Sequence, residues 1–255
     1  TPFAKTLLAQ IAPVMLASLL YFGSGLGLLL LFITRKLIFR SDYDALTHLR
    51  GKDLLWLGGA ILAGGIAGPV LLMIGLTLTS ASSASLLLNM EGVFTAMLAW
   101  FVFKENFDQR IFIGMLFIVA AGILLSWEQV PTLSVPWGAL AITAACLSWG
   151  IDNNLTRKIS ASDAVQIAGI KGFVAGSVNL LIALILSFPM PDIKIMLVTA
   201  AIGFCGYGLS LVLFVLALRH LGTARTGAYF SIAPFVGAVI SLTMLGENPG
   251  WIFWL

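Results

Sequence analysis

The sequence predicts an all-α integral membrane protein, a multi-span helical bundle made of two inverted repeats. Three observations carry that expectation. Sixty per cent of the 255 residues are hydrophobic and only 10% are charged, against about 25% charged in soluble domains. The apolar residues gather in runs long enough to cross a bilayer. One stretch of pattern recurs further along the chain at a fixed offset.

The mean hydropathy of +1.04 leaves too few polar residues to cover a surface in water. Lipid removes that difficulty, because it accepts an apolar exterior. The length is therefore read as a count of spans. Each needs roughly 20 apolar residues to cross about 30 Å of hydrocarbon. Eight complete spans are expected: Ile11–Thr34, Leu54–Leu78, Ser82–Phe103, Ile111–Trp127, Trp137–Leu155, Ala164–Phe188, Ile195–Leu218 and Thr226–Leu245. A ninth apolar run starts at Trp251. The runs show no strict alternation, which argues against a β-barrel.

The loops set the orientation. If alternate loops face the cytoplasm, starting with 35–53, that side holds Arg35, Lys36, Arg40, Arg50, Lys52, Lys104, Arg110, Arg157, Lys158, Arg219 and Arg225. The other side holds Lys5 and Lys194. A bias of 11 to 2 supports both the orientation and the span count, because a missed span would scramble it. The net charge of +3 thus reflects membrane orientation and not a nucleic-acid partner. Cys146 and Cys205 lie inside apolar runs and are expected to be free packing residues.

The repeat runs from Val70 to Asn106 and again, without gaps, from Val212 to Asn248, an offset of 142. Val70/Val212, Leu76/Leu218, Ala96/Ala238, Glu105/Glu247 and Asn106/Asn248 are identical pairs. Each copy reads as a span, a tight polar turn, a second span and a Glu-Asn cap. Glu105 and Glu247 fall on opposite sides, so the copies are inverted, as an odd number of spans per repeat requires. The repeat divides the chain at 1–127 and 137–255. It also predicts a unit of five plus five spans, trimmed here at both ends.

The segment SASSASLLLNMEGVFTAMLAWFVFKE and its degenerate copy GTARTGAYFSIAPFVGAVISLTMLGE, with the duplicated plan, resemble the EamA-type family of the drug/metabolite transporter superfamily. The resemblance implies ten helices, a central cavity between the repeats, alternating access and a bacterial inner membrane. It further implies a secondary transporter or exporter of small polar metabolites, amino-acid-like compounds or drugs.

Glu91 sits near the middle of its span, where an ionisable group costs a few kcal/mol unless it faces the interior, a cavity or a partner. It either binds a substrate amine or proton, helped by Asn89, or pairs with a neighbouring helix. Lys171, two turns into its span, either snorkels to the surface, neutralises Glu91 or contacts substrate. Asn179 lies on the same face. Asp152, ahead of Arg157 and Lys158, is either an ordinary interfacial helix end, with Asn153 and Asn154, or a gate residue paired with an arginine in one state. Pro69 and Pro234 lie within spans and are candidate hinges or ordinary kinks. Ala60, Gly64 and Gly68 recur every four residues and favour close helix contact. Tyr21, Trp149 and Tyr229 could line a cavity. Trp56, Trp127, Trp137 and Trp251 fit interfacial belts.

No HExxH, GxSxG, GxxxxGK[ST] or CxxC occurs, and His48 and His220 stand in no ligand spacing. No enzyme, metal site or cofactor is expected. The expected partners are a small-molecule substrate and the lipid bilayer, with no nucleic acid. A homodimer stays open, as does the alternative of a non-transporting membrane scaffold.

Overall fold

The computed structural model describes residues 2–38, 49, 51–106, 108–128 and 136–246, and all regular structure among them is helical. Glu247, Asn248, the run from Trp251 and most of the loop after the first long helix lie outside the described residues.

Pro2–Leu7 forms a short helix, α1, and Pro13–Ile38 the long helix α2. Gly51–Ala60 (α3) and Gly68–Thr77 (α4) are halves of one span joined by a π-helical turn, Ile61–Ala67. Ala81–Leu87 (α5) and Met90–Phe101 (α6) form another broken span. Gln109–Glu128 (α7), Trp137–Ile159 (α8) and Ala164–Ile185 (α9) follow. Ile193–Gly203 (α10) and Ser210–Leu221 (α11) are joined by a second π-helical turn, Phe204–Leu209. Thr223–Phe230 (α12) and Ile232–Leu245 (α13) complete the described chain.

Six of these spans are long and apolar enough to cross a membrane: Pro13–Arg35, Gly51–Leu78, Ala81–Phe101, Ala164–Ile185, Ile193–Leu221 and Thr223–Leu245. The shorter apolar part of α7, Gln109–Ala121, and α8 stand beside them. α8 is less apolar because it carries Asp152, Asn153, Asn154, Arg157 and Lys158 in its second half. Large hydrophobic side chains such as Leu30, Leu55, Phe117, Ile185 and Leu213 are exposed around the bundle, as expected where the surrounding medium is hydrocarbon.

The repeat reaches further than its sequence pattern. α10 starts at 193 against 51 for α3, α11 at 210 against 68 for α4, α12 at 223 against 81 for α5, and α13 at 232 against 90 for α6. All four pairs keep the 142-residue offset. The π-helical turns end at 67 and 209, again 142 apart. Five spans separate the matching segments, so they cross the bundle in opposite directions.

The core is organised around α2 and α9, the most extensively packed pair of helices. They approach through small residues: a Cβ on Gly172 would stand 2.7 Å from the backbone nitrogen of Gly25. That closeness is the usual means of helix association where lipid supplies no hydrophobic drive. The broken spans then cross each other, with α12 on α6 and α5 on α13. Gly227 meets Thr95 at one crossing and Gly237 meets Ser85 at the other. These two contacts exchange under the 142-residue offset.

The loops are capped conventionally. Asp163 accepts from the Val165 and Gln166 backbone N–H groups at the start of α9, and Asp192 from Lys194 N–H at the start of α10. Arg219, at the end of α11, donates to the carbonyls of Ser160 and Ser162. Lys5 of α1 donates to the carbonyls of Leu76 and Thr79 at the end of α4, where the helix dipole favours a cation. Cys146 is buried and Cys205 exposed, and both are free.

Candidate functional site

The first π-helical turn prepares the site. Its wide winding lets the Gly68 N–H bond the Ala63 carbonyl, five residues back. Pro69 follows and has no N–H to give, so the Gly64 and Gly65 carbonyls lose that donor. Buried carbonyls must find other partners. Tyr21 Oη of α2 and Trp149 Nε1 of α8 both donate to Gly64 O at 2.9 Å. Asn179 Nδ2 of α9 donates to Gly65 O at 2.9 Å. Three helices are thus tied to one irregular turn.

Beside that turn lies a cavity of about 360 Å³. Its charged lining residues, among those described, are Glu91, Asp152 and Lys171. Both halves of the chain contribute: Tyr21, Leu72 and Glu91 from the first, Trp149, Asn153, Tyr207, Phe214, Phe230 and Pro234 from the second. The volume and the mostly apolar wall with a few convergent polar groups suit a small ligand.

Glu91 stands in the first turn of α6, just after the break from α5. Its Oε1 accepts from Asn153 Nδ2 at 2.9 Å, and the same amide donates to Thr95 Oγ1 at 3.0 Å. Lys171 is almost wholly buried, at 2% exposure. Its Nζ lies 2.5 Å from Asp152 Oδ1 and 3.0 Å from Thr156 Oγ1. Thr156 also donates to Asp152 at 2.8 Å. The pair is packed against Gly64, where a Cβ would overlap the Asp152 carboxylate.

Several expectations are thereby corrected. Lys171 does not snorkel; it faces inward, and its partner is Asp152, not Glu91. Asp152 is not at a helix end, because α8 continues to Ile159 and carries it into the bundle. In this conformation its charged partner is Lys171. Asn89 lies at the α5–α6 break, where its Nδ2 donates to Leu86 O at 3.1 Å. Asn179 serves the Gly65 carbonyl. Neither asparagine lines the cavity. Pro69 and Pro234 each stand in the first turn of a helical piece after an irregular turn, a place that tolerates a missing N–H. Pro234 reaches the cavity and Pro69 does not. Tyr21 and Trp149 line it, whereas Tyr229 is 67% exposed and its neighbour Phe230 takes that place. Asn153, Thr95 and Thr156 were not singled out as site residues. The run Asp152-Asn153-Asn154 was the available signal.

A second cluster lies at the end of the bundle rich in basic residues. The N-terminus of α12 begins at Gly222, with φ +82°, a conformation glycine adopts readily. Glycine has no side chain to cap the helix. Its counterpart 142 residues earlier is Ser80, which caps α5 by accepting from Ser83 N–H at 3.2 Å. At α12 the carboxylate of Glu105, at the end of the α6 span, fills that role. It accepts from the Thr223 N–H, the Thr223 hydroxyl and the Ala224 N–H at 3.1, 2.7 and 3.4 Å. Lys104, Arg157 and Arg225 share the adjoining pocket, and Lys158 Nζ lies 5.1 Å from the centroid of the Phe103 ring.

Paired broken spans around a cavity with a few buried charges are the arrangement in which multi-span membrane transporters place their sites. The family model of the EamA-like transporter family matches residues 1–127 and 136–255. The chain belongs to that family. It is 27% identical over 259 residues to an uncharacterized transporter of Methanothermobacter thermautotrophicus, covering 95% of this chain and 74% of that one. It is 26% identical over 186 residues to the uncharacterized transporter YyaM of Bacillus subtilis, covering 68% of this chain and 60% of YyaM. A solved structure described as "Crystal structure of protein" shares the fold with a TM-score of 0.73 at 18% identity, over 99% of this chain and 85% of that one.

Proposed function

We propose that this chain is a secondary transporter or exporter of small polar metabolites, working by alternating access around the cavity that holds Glu91. The units 1–127 and 137–255 rock against each other, and Glu91, Asp152 and Lys171 form the substrate or coupling site. The observation that carries this reading is the position of Glu91. An ionisable side chain inside the membrane marks a substrate or ion pathway by default, and this one faces a cavity walled by both halves. The crossings of α6 with α12 and of α5 with α13 supply interfaces that can loosen on opposite sides in turn, with the starts of α4 and α13, at Pro69 and Pro234, as hinges.

The test is flux. Protein reconstituted into proteoliposomes is loaded with a panel of radiolabelled amines, amino acids and small drugs, and efflux is followed. Glu91→Gln keeps the shape and most hydrogen bonding while removing the charge. It is expected to reconstitute normally and to lose at least about tenfold in flux, the scale of one charge interaction. Wild-type flux in the variant would remove Glu91 from the mechanism.

A further inference from the structure

The cavity has one acid too many. Lys171 and Asp152 form an ion pair at 2.5 Å, both inside the protein. Among the described residues Glu91 has the Asn153 amide, a neutral donor, at its Oε1. The other strong donors at the wall are already committed. The Tyr21 hydroxyl and the Trp149 N–H go to Gly64 O, and the Asn153 amide serves Glu91 and Thr95. The remaining polar groups of the lining, the hydroxyls of Tyr207 and Ser210, carry no charge. Among the described residues a ligand carboxylate therefore meets no free cation here, and it would be repelled by Glu91. A ligand ammonium meets a carboxylate with an oxygen to spare. The cavity wall also holds Tyr21, Trp149, Tyr207, Phe214 and Phe230, and aromatic ring faces attract cations.

We infer that the cavity takes an organic monocation, an ammonium carried on an apolar or aromatic body, with Glu91 as its counter-charge, in preference to a zwitterionic amino acid or an anion. This rests on the reading of the cavity as the transport site and narrows its substrate class.

A matched ligand series tests it: phenethylamine, phenylalanine and 3-phenylpropionate, which share one ring and differ in charge. Isothermal titration calorimetry on the purified chain in detergent should show phenethylamine binding about 30-fold or more tighter than the other two. Glu91→Gln should lose a similar factor for the amine, the lower end of the cost of removing one partner of a buried charge pair. If that variant does not elute as a monodisperse species, the ligand series on the unaltered protein decides alone. Equal or tighter binding of phenylalanine or 3-phenylpropionate, retention of amine affinity in Glu91→Gln, or no amine binding at millimolar concentration would each overturn the inference. Proteoliposome flux separates the two readings. Phenylalanine flux that depends on Glu91 keeps the transporter and removes the cation preference. Amine binding with no flux of any of the three probes does the reverse.

Discussion

Glu105 caps a helix to which it does not belong. Its carboxylate accepts from both the backbone N–H and the hydroxyl of Thr223, residues 118 apart in sequence and in different repeats. The contact joins the end of the α6 span to the start of α12 on the basic side of the bundle.

Glu105→Ala should therefore lower stability by about 1–2 kcal/mol, the range for losing a helix cap with a charged acceptor. Thr223→Ala should cost less, and the double variant should cost less than the sum of the two. Thermal unfolding in detergent measures all three. An unchanged melting temperature in Glu105→Ala contradicts the cap.

Lys171→Met should be severe, about 3–5 kcal/mol, because it leaves the Asp152 carboxylate buried without its cation. Combining it with Asp152→Asn should recover most of the loss. The measurement is folded yield together with the melting temperature of the single and double variants. A single variant as stable as the unaltered protein would mean that the pair is not held together as described.

Gly64→Ala and Gly206→Ala occupy equivalent places in the two repeats and should behave differently. The methyl at 64 meets the Asp152 carboxylate, whereas nothing lies within 4 Å of a Cβ at 206. The first should cost about 1–3 kcal/mol and the second less than about 0.5 kcal/mol. Comparable melting temperatures for the two would refute the distinction.

The charge bias of the loops predicts that Asp108 and Asp192 face opposite sides of the membrane. Single cysteines at these positions, in a Cys205→Ser background, should react with an impermeant maleimide from opposite sides. Cys146 is buried and gives little labelling. Modification of both from one side would overturn the orientation.

The span pattern was legible because burying a backbone in hydrocarbon demands long apolar runs. The repeat was legible at 70–106 through its turn and its Glu-Asn end. From 51 to 69 it shows only in backbone geometry, because lipid-facing side chains drift freely while a π-helical turn keeps its place. The α8 end was misjudged at Leu155. Asp152, Asn153 and Asn154 look like an interfacial end, and only the fold brings Lys171, Glu91 and Thr95 to meet them. Glu91 could be picked out by its cost in the membrane. Its partner Asn153 could not, because that contact depends on the rotation of α6 against α8. Asn89 and Asn179 were attractive for the same reason as Glu91, yet a buried amide also satisfies stray carbonyls, and that is what both do.

The two π-helical turns also set the two halves apart. Each amounts to one extra residue wound into a helix, and each breaks the regular ladder at the same place in its copy. The two copies are used differently. In the first, the freed carbonyls of Gly64 and Gly65 are enclosed by Tyr21, Trp149 and Asn179. In the second, the turn gives Gly206 and Tyr207 to the cavity wall. The same irregularity is a fastening in one half and part of a cavity wall in the other.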